Sequence, residues 1–140
     1  AVWRRFEYKL RIELPDTNAI IEMIDLFTRK GHNLNDKEKI ELATALSGLS
    51  GANVEEILVK AMRKAIIHER AVEKSDYYDE IFSFKGIIPQ NCSCEKTLLS
   101  IKANYLRSCS EKVFSYQVIA NILNISKTSV SKIVKEVSEV

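Results

Sequence analysis

The 140-residue chain is expected to be mainly α-helical, with one β-strand near the start and a small three-helix domain at the end. Three observations carry that expectation. Glycine and proline number only four and two, too few for the many turns of an all-β chain. Apolar residues recur three and four apart over most of the length, the period of amphipathic helix. A single segment, residues 6–14, instead alternates apolar and charged side chains. Hydrophobic residues make up 46% and charged residues 29%, which excludes collagen-like, low-complexity and strongly disordered chains. No run of 18 apolar residues occurs, so no span of a bilayer and no membrane partner is expected. No basic region leads into an apolar stretch at the start, so no secretory signal is read. Three cysteines, an odd number, argue against a disulfide framework and for a reducing cytoplasm.

Taken in order, Phe6, Tyr8, Leu10, Ile12 and Leu14 fall on one face of the alternating segment and four charges on the other. That is the pattern of a half-buried strand, which Pro15 stops. No second strand of similar quality follows, so its ladder partners are expected outside this sequence. Asp16 or Thr17 then caps a helix carrying Ile20, Ile21, Ile24, Phe27 and Thr28, with Gly31 as its stop. Asn35 or Asp36 opens a second helix that buries Ile40, Ala43 and Leu46. Ser50-Gly51 opens a third, with a stripe of Val54, Ile57, Leu58, Ala61, Met62, Ala65 and Ile66, predicted to run to about Lys74. Residues 75–91 concentrate Tyr77, Tyr78, Ile81, Phe82 and Phe84 ahead of Gly86 and Pro89, as a short helix and a packed connector. The helical period resumes at Cys94 and breaks at residues 108–112. Residues 115–137 hold two helices and a tight turn. The expected domains are 1–15, 16–90 and 91–140.

Several pieces recur together in a known family. Arg4-Arg5-Phe6 precedes the strand, Leu14-Pro15-Asp16 follows it, and Gly48-Leu49-Ser50-Gly51-Ala52-Asn53 opens the third helix. In this order and spacing, residues 1 to about 74 resemble the C-terminal end of an AAA-type ATPase: the last core strand followed by a helical lid. Glu7 and Asn53 stand where the family usually has Asp. The resemblance implies that arginines before the strand reach the nucleotide of the next subunit in a ring. A guanidinium can fork onto phosphate oxygens and stabilise charge as the γ-phosphoryl departs, worth about 10³–10⁵ in rate in related enzymes. Arg5 holds the best-matching position and Arg4 is the second candidate. It implies further that the Gly51-Ala52 turn faces the adenine, where a helix start without bulky side chains permits close approach. No Gly-x-x-x-x-Gly-Lys-Ser/Thr and no paired-acid magnesium site occur, so the chain alone is not expected to hydrolyse ATP. ATP and Mg would belong to a parent protein whose missing core supplies the sheet for residues 6–14, and neither is expected to bind this portion tightly.

The most specific pattern lies at the end. Ala120 is small where two helices would cross, Asn124 suits a positive φ at the turn, Ile125 plugs the core and Ser126 caps the second helix. Val130 and Ile133 would pack back on Ile119 and Leu123. This spacing resembles the DNA-binding helix-turn-helix family over about 21 residues. Its second helix would expose Lys127, Thr128, Ser129, Ser131, Lys132 and Lys135, which can contact phosphate. Arg, Asn and Gln, the usual base readers, are missing from that face, so no sequence preference is expected. The net charge is only +2, but residues 91–140 hold seven basic and four acidic side chains. Any nucleic-acid attraction must therefore be local.

No metal site is expected, because Cys92-Ser93-Cys94 lacks zinc-pair spacing and His32 and His68 lie far off in sequence. The expected function is that of a lid and helix-turn-helix portion of an AAA-type ATPase, coupling ATP hydrolysis in a homo-oligomeric ring to a nucleic-acid or protein target. The alternative is a non-enzymatic DNA-binding transcriptional regulator whose N-terminal helices dimerise.

Overall fold

The computed structural model describes residues 10–138, the last two by backbone alone. The described chain is mainly helical: α1 (Thr17–Phe27), α2 (Asp36–Leu46), α3 (Gly51–Ile67), α4 (Lys74–Phe84), α5 (Glu95–Cys109), α6 (Tyr116–Leu123) and α7 (Lys127–Ser138). Residues 10–14, the described part of the expected strand, form no strand. Leu10 and Ile12 are 93% and 94% exposed. Alternation alone does not make a strand when no neighbouring chain satisfies its N–H and C=O groups. The rest of the alternating segment, with Arg4 and Arg5, lies outside the described residues.

Caps written in the sequence set most helix starts. Asp16 accepts from the Ala19 amide at 2.8 Å, and Ser50 from Asn53 at 3.3 Å. Asn35 and Glu38 bond reciprocally to each other's amides, a complete capping box. The helix stops differ from expectation. α1 ends at Phe27, and the left-handed positions fall on Arg29 and Lys30 (φ 50° and 58°) rather than on Gly31. α3 ends at Ile67, seven residues short of Lys74, because Glu69 turns left-handed and the Arg70 amide closes onto Ala65 O at 3.1 Å. The chain then runs extended to Glu73 and starts α4, where Asp76 accepts the Glu73 amide at 2.8 Å.

α1 packs on α2 and α3, α3 on α4, and α2 on α4. Their shared core includes Ile20, Ile24, Leu42, Leu46, Ile57 and Leu58, all essentially inaccessible. Ile40 is not part of it: it stands 46% exposed, while its neighbours Leu42 and Ala45 are buried. The α1–α2 loop is clamped from several sides. His32 is buried, its Nε2 2.9 Å from Asp25 Oδ1 and its Nδ1 accepting the Leu34 amide at 2.9 Å. That acceptor role places the ring proton on Nε2, facing the carboxylate. Asn33 Nδ2 donates to Val72 O at 3.3 Å, and Tyr77 Oη donates to His32 O at 3.4 Å.

α5, α6 and α7 pack on one another, and this group is joined to the first four helices through α2–α5 and α4–α6 contacts. Aromatic rings fill the seam. Phe114, in the α5–α6 connection, meets Tyr78 of α4 edge-on, with centroids 6.3 Å apart at 86°. Phe82 of α4 meets Tyr105 of α5 in the same way at 6.1 Å. Tyr78, Phe82 and Phe114 are at most 1% exposed. The α3–α4 corner is held by Arg70, whose two terminal nitrogens reach the two oxygens of Asp76 at 2.7 and 2.6 Å.

Candidate functional site

The last two helices are joined by three residues, and each has a specific job. Ser115 caps α6 by accepting the Val118 amide at 3.4 Å. Val118, Ile119, Ala120 and Ile122 turn inward. Asn124 takes the left-handed conformation expected of it (φ 55°, ψ 41°), and its N–H closes onto Ala120 O. The Ile125 amide also reaches Ala120 O, at 3.1 Å. Ile125 is half-buried against the core. Ser126 Oγ accepts the Ser129 amide at 3.2 Å and lies 2.8 Å from the Ser129 hydroxyl. α7 then buries Val130, Ile133 and Val134.

The opposite side of α7 is open to solvent. Lys127, Thr128, Ser129, Lys132 and Lys135 are exposed, and Ser131 is half-buried. Three lysines and two hydroxyls therefore share one surface, with no acidic residue in the first turn. Glu136 follows Lys135, and with Glu95 it lines a cleft of about 350 Å³ between α5 and α7, floored by Leu99, Ile125 and Ile133. Ser129 and Lys132 line the same cleft, so the two acids lie beside the middle of the lysine surface as well as beyond Lys135.

A second cleft, about 300 Å³, adjoins the start of α7. Arg107, Ser115, Tyr116, Gln117 and Lys127 line it. Sequence reasoning singled out only Lys127 from this set. Arg107 is the sole arginine after Arg70. That isolation was the one available signal, since only folding brings the last turn of α5 beside the first turn of α6.

Gly51 and Ala52 stand at the first turn of α3, away from α7. A Cβ on Gly51 would meet Met23 Cε at 3.4 Å, an ordinary contact, and Ala52 is exposed. The turn is sterically open. Ala52 also lines a shallow depression of about 240 Å³ with Glu55, Glu56, Val59, Lys60 and Arg63. Lys60 is held there by Glu56 at 2.6 Å. Gly51 and Ala52 carry no bulky side chain there. Two carboxylates beside them do not fit a triphosphate. Among the described residues no three His, Cys, Asp or Glu side chains gather where a metal ion could be held. Cys92, Cys94 and Cys109 are free thiols. Cys94, exposed before α5, has its thiol pKa lowered by hydrogen bonds from the Thr97 hydroxyl and from the Thr97 and Lys96 amides. No described helix is long and apolar enough to cross a membrane. No family model, no curated protein and no solved structure matches the chain.

Proposed function

We propose that residues 16–90 act as the helical lid of an AAA-type ATPase and that α5–α7 are a helix-turn-helix unit through which it contacts DNA. One observation carries the DNA contact: a capped, tightly turned helix pair whose second member exposes Lys127, Thr128, Ser129, Lys132 and Lys135 together. The lid reading rests on the resemblance of residues 1 to about 74. Lysines and hydroxyls on a helix suit phosphate contact and positioning, not base selection. In a parent ring, Gly51 and Ala52 would touch the adenine of bound ATP. Arg5, or Arg4, would reach the nucleotide of the neighbouring subunit, and ATP with Mg would supply the phosphoryl chemistry. Packing of α5 on α2 and of α6 on α4 would carry a lid movement to the DNA-binding surface.

The test is duplex binding followed by fluorescence anisotropy at low salt. Lys127, Lys132 and Lys135 changed together to Glu should remove most of the affinity. The salt dependence should fall by about 2.7 in log–log slope, about 0.9 for each phosphate that is no longer neutralised. No binding by the native chain would refute the DNA contact and turn attention to a protein target. In the intact ATPase, Arg5→Ala should abolish turnover with ATP still bound, and unchanged turnover would remove Arg5 from the role. The second reading, a dimeric non-enzymatic regulator, draws on exposed Leu26 of α1 and Ile66 and Ile67 of α3, each about two-thirds exposed. A nucleotide-independent dimer in sedimentation, abolished by Ile66→Glu, would favour it.

A further inference from the structure

We infer that the cleft between Arg107 and Lys127 seats one backbone phosphate of duplex DNA, a site contributed largely by residues outside α7. The inference rests on the DNA-binding reading of α7 and adds to it a second anchor that shares only Lys127 with that surface.

Arg107 is already set in place. Its guanidinium carbon lies 5.0 Å from the centre of the Tyr116 ring, a cation–π stack. One terminal nitrogen donates to Glu111 O at 2.9 Å and to Phe114 O at 3.2 Å. The side chain is therefore oriented before any ligand arrives, which lowers the entropy cost of binding. A guanidinium has five N–H donors in a planar fork, and those two carbonyls occupy one nitrogen. Its other nitrogen lies 3.6 Å from Glu111 Oε2, a long contact to a carboxylate that is 77% exposed. A phosphate oxygen can displace such a screened, solvated partner at little cost.

Lys127, the first residue of α7, also lines the cleft, an exposed ammonium beside a fixed fork. Among the described residues, no acidic side chain lines the cleft itself. The Gln117 amide, which donates to Asn121 Oδ1 at 3.1 Å, is exposed at its edge. Two cations of different geometry around 300 Å³ match a tetrahedral monoanion, with the fork gripping two oxygens and the ammonium neutralising charge. Tyr116 shields one face of the guanidinium from water and so strengthens its hydrogen bonds. Because Lys127 belongs to both the cleft and the α7 surface, a strand bound at α7 can continue directly into the seat.

Two variants test the seat. Arg107→Gln removes the fork. Gln117→Glu places a carboxylate in the cleft while leaving Arg107, Tyr116 and all of α7 intact. An acid in a helix's first turn is itself favourable to folding. Anisotropy with two duplexes of unrelated sequence is the readout, with thermal melting beside it. Each variant should weaken binding about tenfold at low salt, equally for both duplexes. The log–log salt slope of Arg107→Gln should fall by about 0.9. If Arg107→Gln fails to fold, Gln117→Glu decides alone. Native-like affinity in Gln117→Glu would refute the seat while leaving the α7 surface standing. So would a weakening confined to one duplex. If the native chain binds neither duplex, the α7 reading and the seat fall together.

Discussion

Phe114→Ala is the most informative single change to the scaffold, because the ring lies in the seam between the two groups of helices. It is fully inaccessible and stands edge-on to Tyr78. Removing a buried phenylalanine costs about 3–5 kcal/mol, of which about 0.5–1.5 belongs to the ring pair. The Phe114 backbone is held independently: its amide donates to Ser110 O at 2.9 Å and its carbonyl accepts from Arg107 at 3.2 Å. The cavity therefore closes poorly, and a destabilisation of about 4 kcal/mol is expected. For a chain of this size that corresponds to a fall in Tm of roughly 12–16 °C. Urea unfolding followed by far-UV circular dichroism should show the midpoint moving down by about 2 M. Phe114→Leu, which keeps most of the apolar volume, should cost only about 1 kcal/mol. A cost below about 1 kcal/mol for Phe114→Ala would show that the seam adds little to stability.

Other expected outcomes are separable by pH and by site. Hydrogen bonding from Arg70 holds the Asp76 carboxyl below its usual value, outweighing burial, with the Glu73 amide adding to the effect. A folded-state pKa below the unfolded one means stability that is present above about pH 4 and lost as pH falls through the folded value. Asp76→Asn should therefore destabilise at pH 7 and progressively less as pH falls below about 4, measured by urea titration at each pH. Glu41 has the opposite sign, since burial raises its pKa. Its folded form binds protons more readily than its unfolded form, so its cost grows as pH rises above about 4. Glu41→Gln should stabilise at pH 7, with the gain vanishing near pH 4. At the α6–α7 turn, Asn124→Val should cost about 1–2 kcal/mol because a β-branched residue resists φ 55°, whereas Asn124→Gly should be close to neutral by thermal melting.

Local chemistry was the legible part of this sequence. Asp16, Asn35, Ser50 and Ser126 are short polar side chains directly before apolar-periodic runs, and each accepts an amide in its own helix's first turn. Asn124 was readable for the same reason, because its conformational tolerance belongs to the residue. Helix stops were harder to place. Gly31 advertised a left-handed position, yet that conformation falls on Arg29 and Lys30, whose amides close locally onto Leu26 O and Asp25 O at the end of α1. The alternation of residues 6–14 describes how a strand would present its faces, but pairing depends on a neighbour, and residues 10–14 show none. Within the candidate site, the α7 surface followed from helical spacing. Arg107 did not, because its place beside Tyr116 and Lys127 depends on how α5 closes against α6.

The α1–α2 loop leans on distant parts of the molecule. Arg29 and Lys30 take left-handed conformations that are unfavourable for their side chains, and Asn33 takes the same conformation at lower cost. What offsets them comes partly from far along the chain: Val72 is 39 residues from Asn33, and Tyr77 is 45 from His32. An isolated α1–α2 pair would bear the backbone cost without those distant partners. The two distant bonds of this corner therefore exist only where the α3–α4 connection and α4 lie against it.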